Sequence, residues 1–548
     1  MDPEPGEGGS RRRARAFATG AQQRLRSATP SRFGATLAVT LLLAACSVNP
    51  VTGEREFQIY GTEWEQQVGS QMYVPLKQSQ GGEFILDPEL TRYVQSVGNR
   101  LARQAARADA FDFEFSVLNN SSPNAWALPG GKIVVNRGLL TALDSEAELA
   151  AVMAHEIVHA DAAHGAQQQS TGMLAQVGAV ASMVVLGSTI ENQTARQLAM
   201  LVPTVGMQLI MQRYGRDAER EADEYGMRYM SAAGYDPQGA VDLQETFVEL
   251  SKDREQDWLS GLFASHPPSQ ERVQSNRETA RQLPPGGDRN RTRYQEEIRY
   301  LKELQPAYAA YDEAGKALAE DDPERAQRKL DEALAIEPRE ALFISMQGDI
   351  QAMRDQDRAA VDTFSRAVRA NEALFYPYLR KGQLEYRLGN PRVARQNLER
   401  SLQLLPTAEA HYVLGRIDQD AGRINPAIAH FQAAAESQSE AGKKAQAELV
   451  RLDLAQNPSR YIATRAALDA NGIVWVEFGN RTSVPITDIE LSYAWLDSAG
   501  QSRRSAVRYT GTLAGGEVDR VQLKLQLSDA QSLQQRFQVE ATAARLAN

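Results

Sequence analysis

The chain of 548 residues contains one cysteine, Cys46, and six histidines. A lone thiol forms no disulfide within the chain and builds no multi-cysteine metal or redox site. Aromatic residues make up 7% of the sequence, and acids outnumber Lys and Arg by 70 to 60. The net charge of −10 repels polyphosphate, so no nucleic-acid partner is expected. Long apolar runs are scarce as well. Phe33 to Ala45 is uncharged but too short to span a membrane, and the eighteen uncharged residues Met173 to Ile190, broken by Gln176 and Ser182, sit at the threshold. Gly178, Gly187 and, in the next apolar run, Pro203 favour buried helices there, with a membrane-facing patch as the alternative.

What is present is more specific. His155-Glu156-Ile157-Val158-His159 places two imidazoles four residues apart. At about 100° per residue their rings lie roughly 40° apart on a helix, so both can reach one ion. Glu156, about 100° from His155, can face a water in the open coordination position without becoming a ligand. With so few histidines, a chance match is expected about 0.005 times per chain, which leaves little room for a merely salt-bridged surface helix. Ser145-Glu146-Ala147-Glu148 reads as a capping box ahead of the apolar run Leu149 to Ala154, and the combination predicts a buried helix. The pattern is that of a zinc peptidase.

A catalytic zinc site usually has three protein ligands and one open position. His164 lies nine residues beyond His155, about 180° round a continuing helix, and reads as a helix-end or outer residue. Ala162 and Gly165 stand where the metzincin pattern requires Gly and His, which sets that class aside. Within Arg216 to Gly226, Glu219 and Asp223 share a face at i, i+4, while Glu221 points about 200° away from Glu219. Glu219 can bind zinc while Asp223 accepts a hydrogen bond from a ligating imidazole. Spacing alone does not choose between the two glutamates, and a solvated charged helix is the bland alternative.

The combination resembles the HExxH zinc metallopeptidase family that includes the CAAX prenyl protease, the bacterial heat-shock membrane protease and the periplasmic β-barrel assembly-enhancing protease. Asn124-Ala125-Trp126-Ala127-Leu128-Pro129-Gly130-Gly131 is similar to the family's edge-strand motif, and Ser265-His266-Pro267-Pro268, with Arg272 beyond, to its histidine-proline motif. Arg216, Glu219, Ala222 and Asp223 fall on its Glu-x-x-x-Asp pattern, whereas Val158 replaces a residue that is often small. The likeness covers roughly residues 50 to 280. It implies a zincin-like α+β domain with one Zn2+ per subunit, held by His155, His159 and Glu219, with Glu156 as general base and Asp223 behind a ligand. It also implies that Asn124, Ala125, Trp126, Ala127 and Leu128 form an edge strand, which can pair with an extended substrate. For His266 three roles stay open: assisting catalysis, closing the site as a fourth ligand, or anchoring a loop.

Residues 1–45 carry seven Arg against three acids and end in Leu43-Ala44-Ala45-Cys46, which resembles a bacterial lipobox. Cys46 is therefore expected to be lipidated, which would leave a still more acidic mature chain. The start of that chain, Ser47 to Gly53, resembles secreted members of the family. After Leu283-Pro284-Pro285-Gly286-Gly287, small residues recur at intervals of 34, 34 and 33: Ala314, Gly348, Gly382 and Gly415. Ala326, Ala360, Ala394 and Ala427 follow in register, then Leu330, Phe364, Leu398 and Phe431, then Ala333, Ala367, Ser401 and Ala434. This is tetratricopeptide spacing, a solenoid that commonly holds a peptide or protein. Tyr376, Tyr378, Arg380 and Tyr386 are candidates for its binding face, while His411 and His430 read as isolated structural residues. Beyond Asn457-Pro458 the apolar period becomes two, which predicts a small β-sandwich.

The expected architecture is multidomain and mainly α: a signal peptide over 1–45, a lipid-anchored segment over 46–82, a metallopeptidase domain over 83–283, tetratricopeptide repeats over 294–456 and a β-sandwich over 460–548. The expected activity is zinc-dependent endopeptidase cleavage of misfolded or stalled envelope proteins at the periplasmic face of the outer membrane. Unfolded substrates and the outer-membrane β-barrel assembly machinery are the expected partners. The competing reading is a chaperone or scaffold that acts through its repeats with a silent metal site.

Overall fold

The computed structural model describes residues 46–173, 214–252, 266–497, 499–527 and 530–547. The expected signal peptide, Ser265 and nearly all of the borderline apolar stretch lie outside these. Among the described residues no helix is long and apolar enough to cross a membrane.

The chain opens with a short antiparallel hairpin, β1 (Cys46–Val48) and β2 (Arg55–Phe57). Two helices follow, α1 (Thr62–Ser79) and α2 (Pro88–Ala102), the second capped by the Asp87 carboxylate with Pro88 at its first position. Three strands then form one sheet in the order β3-β5-β4: β3 (Glu114–Leu118), β4 (Ala125–Leu128) and β5 (Lys132–Asn136). β3 runs parallel to β5 and β4 antiparallel, which leaves β4 at the edge. Gly130 and Gly131 both take φ of +79° in the turn between β4 and β5, a conformation glycine reaches without steric cost.

Both faces of this sheet are covered, so its strands are buried along their length except at Glu114. Trp126, Leu128 and Val134 face Val68, Tyr73 and Leu76 of α1. Ala125, Ala127, Ile133 and Val135 belong to the main core with α2 and the buried helix α3 (Glu146–Asp161). Ser145 caps α3 by accepting from the Glu148 amide, and Glu148 reaches back to the Asp144 amide. Three further helices complete the domain: α4 (Arg216–Ala232), α5 (Gln238–Lys252) and α6 (Gln270–Gln282).

Buried polar groups pin both ends of α3. At its N-terminus Glu146 accepts from Tyr93, Tyr235 and Asn290, a favourable place for a carboxylate on the helix dipole. At its C-terminus Asp161 accepts from the amides of Ala106 and Arg107 and from the Tyr229 hydroxyl. The helix is thereby held at a fixed height against its neighbours.

After a short helix α7 (Arg291–Glu297), helical hairpins stack as α8 (Arg299–Ala319) with α9 (Pro323–Ile336), α10 (Ala341–Met353) with α11 (Asp357–Ala370), α12 (Phe375–Arg387) with α13 (Pro391–Leu404), and α14 (Ala408–Asp420) with α15 (Ile424–Ala435). The repeat columns meet as tetratricopeptide packing requires. A Cβ on Gly348 would lie 2.9 Å from the Phe364 ring, one on Gly382 2.6 Å from Leu398, and one on Gly415 2.6 Å from Phe431. Each glycine is the hole for the large residue of its partner helix. The first hairpins share the main core with the peptidase domain through Tyr294, Leu301, Tyr308 and Phe343. Gln78 also bonds the Ala373 carbonyl and the Phe375 amide.

The candidate binding-face residues are half-buried and each meets a neighbour in the solenoid, Tyr378 through the Arg400 guanidinium over its ring. Tyr376 and Arg380 both bond Asp349, and Tyr386 bonds Asp420. His411 and His430 are not isolated, because the pairing of α14 with α15 within one hairpin brings their Nδ1 atoms to 3.1 Å. Beyond α16 (Glu440–Asp453) come β6 (Ile462–Leu468), β7 (Ile473–Asn480), β8 (Ile486–Leu496), β9 (Ser502–Leu513), β10 (Val518–Gln526) and β11 (Phe537–Leu546), which form two three-stranded antiparallel sheets ordered β10-β7-β6 and β11-β8-β9. Val474, Val476, Phe478 and Leu523 of one share an apolar cluster with Ile489, Leu491, Leu513 and Phe537 of the other.

Gly382→Val tests the repeat packing. Overfilling that hole should lower stability by about 1–3 kcal/mol, read as a shifted midpoint in urea unfolding followed by helical circular dichroism.

Candidate metal centre

α3 carries His155, Glu156 and His159 toward α4, which crosses it closely at Gly226. A Cβ there would lie 3.2 Å from the His155 amide nitrogen, so the glycine permits the approach. α4 supplies Glu219 and Asp223 on the facing side, and the chain leading into α6 supplies His266. One ligand atom from each of His155, His159, Glu219 and His266 lies within 4.8 Å of the others. The Nε2 atoms of His155 and His159 are 3.0 Å apart. Glu219 lies 3.6 Å from His155 Nε2 and 3.4 Å from His159 Nε2. His266 Nδ1 is 2.9 Å from Glu219 Oε1 and 3.2 Å from His155 Nε2.

This donor set suits a cation. Three imidazoles and one carboxylate converge in a buried space. Nitrogen and oxygen donors of this kind suit a divalent transition metal, Zn2+ among them. Burial holds the His159 ring well below its ordinary pKa, so the imidazole is neutral, as ligation requires. Burial would raise the Glu219 carboxyl, but His266, His159 and His155 outweigh it and hold the group ionised. His266 is itself drawn upward against burial by Glu156 and Glu219.

Behind the donors, Asp223 Oδ1 lies 3.0 Å from His155 Nδ1 and takes a bidentate pair from Arg272. Burial opposes ionisation of Asp223, and the Arg272 guanidinium overcomes it, leaving the carboxyl below its usual range. Arg272 also reaches Glu219 Oε2 at 3.0 Å, so one cation steadies both acids. Glu156 Oε1 is 3.4 Å from His266 Nε2 at the rim of the cluster. Cys46 begins β1.

Of the two glutamates left open by spacing, Glu219 enters the cluster; Glu221 faces His164 at 3.4 Å instead. The placement of His164 on a continuing helix is corrected, because α3 stops at Asp161 and Ala163 takes φ of +60°. That left-handed residue folds the chain back and brings His164 Nδ1 to 2.8 Å from His159 Nδ1. Tyr214, stacked on His159 with ring centroids 4.0 Å apart, carried no signal in the sequence, since only tertiary packing puts it there.

Asn124 precedes β4, and its carbonyl accepts from the Asn136 amide at 2.8 Å. Alternation along the antiparallel pair then turns Trp126 and Leu128 toward β5 and directs the backbone groups of Ala125 and Ala127 to the open edge. The Ala125 amide is capped by the Asn124 side chain.

A metal-binding HExxH helix, a carboxylate-bearing second helix and an adjoining edge strand define the metallopeptidase class. Residues 88–280 match the model of Peptidase family M48, and the chain carries a domain of that family. It is 29% identical over 320 residues to the beta-barrel assembly-enhancing protease of Escherichia coli (strain K12), covering 53% of this chain and 64% of that relative. It is 30% identical over 226 residues to the mitochondrial metalloendopeptidase OMA1 of Schizosaccharomyces pombe, covering 41% of this chain and 63% of that one. The chain thus spans less than two thirds of the length of either. Among solved structures it is similar to YrrB, a TPR protein with an unusual peptide-binding site, at 22% identity and a TM-score of 0.24, over 29% of this chain and 81% of that one.

Asp223→Ala should leave His155 Nδ1 and Arg272 without their buried acceptor and weaken Zn2+ binding about 10–100-fold, measured by competition with a chromophoric chelator.

Proposed function

We propose that the protein is a zinc metalloendopeptidase of the bacterial envelope that cleaves misfolded or stalled outer-membrane proteins. The observation that carries this reading is the convergence of His155, His159, Glu219 and His266 beside the carboxylate of Glu156. When bound by His155, His159 and Glu219, zinc would polarise the scissile carbonyl and make water nucleophilic near neutral pH. Glu156 takes the proton from that water and delivers it to the leaving amine. The outer edge of β4 aligns an extended substrate by strand addition, which selects unfolded or flexible chains. Resemblance to the β-barrel assembly-enhancing protease supports the substrate class, and the repeats are proposed to recruit substrate or the assembly machinery.

His266 is proposed as a fourth ligand that closes the resting site, since its Nδ1 lies among the donor atoms. Lipidation at Cys46 and the periplasmic face of the outer membrane complete the reading. The C-terminal sheets are proposed to form a β-sandwich that binds or packs.

The test is degradation of an unfolded outer-membrane β-barrel protein by zinc-loaded protein. Wild type should cleave, His266→Ala should cleave faster, and Glu156→Gln should retain zinc yet lose at least 100-fold in rate. Equal cleavage by Glu156→Gln would remove the peptidase reading, and no cleavage by wild type or His266→Ala would favour a scaffold acting through its repeats. Ala127→Pro tests the edge strand. It removes an amide that faces away from β5, so the fold should persist while cleavage of an extended peptide slows, measured as kcat/KM.

A further inference from the structure

Two histidines of the cluster have different supports. His155 rests directly on a carboxylate, Asp223. His159 rests on another histidine, and the groups behind it run outward through the fold: His159 Nδ1 to His164 Nδ1 at 2.8 Å, His164 Nε2 to Glu221 Oε1 at 3.4 Å, and Asn49 Nδ2 to the same Glu221 oxygen at 2.8 Å. Asn49 is 1% exposed and His164 3%. Asn49 belongs to the turn of the first hairpin, three residues after Cys46.

Hydrogen-bond bookkeeping gives this chain of contacts one direction. If His159 offers Nε2 to a metal, its Nδ1 must carry the proton. His164 Nδ1 must then accept, so the His164 proton sits on Nε2, the atom that faces Glu221. Glu221 Oε1 lies 3.4 Å from that nitrogen, a charge contact, and accepts a hydrogen bond from Asn49 Nδ2 at 2.8 Å. The protonated His164 Nε2 thereby faces a carboxylate oxygen 3.4 Å away, and no group needs a second proton. Backbone strain points the same way. Ala163 holds a left-handed φ of +60°, a conformation disfavoured for a residue with a Cβ, and that turn is what returns His164 to His159.

We propose that Asn49, Glu221 and His164 form a relay of positioning residues that fixes the tautomer and orientation of His159, so that the hairpin following Cys46 is a working part of the metal centre. Asn49 is built for the outer end. Its Oδ1 accepts from the amides of Val51 and Thr52 and shapes the turn, which leaves Nδ2 free to bind Glu221, with Glu56 Oε1 3.3 Å away on the other side. The segment is held against the rest of the domain by the Ile59 amide on the Ser170 hydroxyl. Zinc binding is thereby linked to the seating of the chain's first described segment. The inference rests on His159 being a metal ligand.

The experiment is Zn2+ affinity of the purified full-length protein, by competition with a chromophoric chelator, together with nitrogen NMR of histidine tautomers in the zinc-bound form. His164→Phe fills the same space without an acceptor and should weaken zinc binding about 10–100-fold. His164→Asn places an oxygen near the lost Nδ1 and should restore most of the affinity. Asn49→Asp keeps the turn-forming Oδ1 but loses the donor, and should also weaken binding, with the His159 Nδ1 proton signal broadened. Wild-type affinity, within threefold, in a folded His164→Phe protein overturns the relay. Should His164→Phe fail to fold, Asn49→Asp decides, and unchanged affinity there overturns it. A wild-type protein that binds no zinc defeats the metal-centre reading itself.

Discussion

Burying a carboxylate among three imidazoles is the constraint on which the rest of this domain depends. Taken from water without partners, such groups would cost several kcal/mol each, and the fold offsets this by giving them partners in layers. Arg272 pairs with Asp223 and reaches Glu219; Asp223 faces His155; His164 faces His159. These contacts work only if two helices sit at one height and one distance. Glu146 and Asp161 set the height of α3, and Gly226 sets the distance of α4. Much of the polar chemistry in this core therefore serves position.

The same layering relates the edge strand to the metal centre. β4 shares the main apolar core with α3 through Ala125 and Ala127, while the backbone of those residues turns outward. An extended chain added at that edge would run beside the helix that bears Glu156. On the other side the first repeat hairpins continue the core of the peptidase domain through Tyr308 and Phe343, and Gln78 bonds the backbone ahead of α12. The solenoid is thus built onto the domain instead of hanging from a linker.

Much of this was legible in the sequence because it is local or periodic. The helix of His155 and His159 shows in a capping box and an apolar run, and the repeats show in columns of small and large residues that meet across hairpins, as at Gly348 and Phe364. The period of two beyond residue 460 likewise becomes strands. The β3-β5-β4 sheet is harder to read, because both faces are covered and Lys132–Asn136 shows no alternation. His164 is the outer residue expected, but it meets His159 because the helix ends at Asp161, and nothing in Ala162-Ala163 announces a left-handed turn.

By itself the sequence determined which residues could be donors, since helical geometry places His155 and His159 side by side and sets Glu219 with Asp223 on one face. It determined the repeat length for the same reason: local periodicity survives without knowledge of neighbours. Spacing left Glu219 and Glu221 open and the family resemblance pointed to Glu219; only the tertiary structure brought Glu219 into the cluster and Glu221 to His164, brought His266 in from 107 residues beyond His159, and set Asn49 against Glu221 across the domain. Those choices depend on how separate elements pack, and spacing along the chain carries no information about distance between helices.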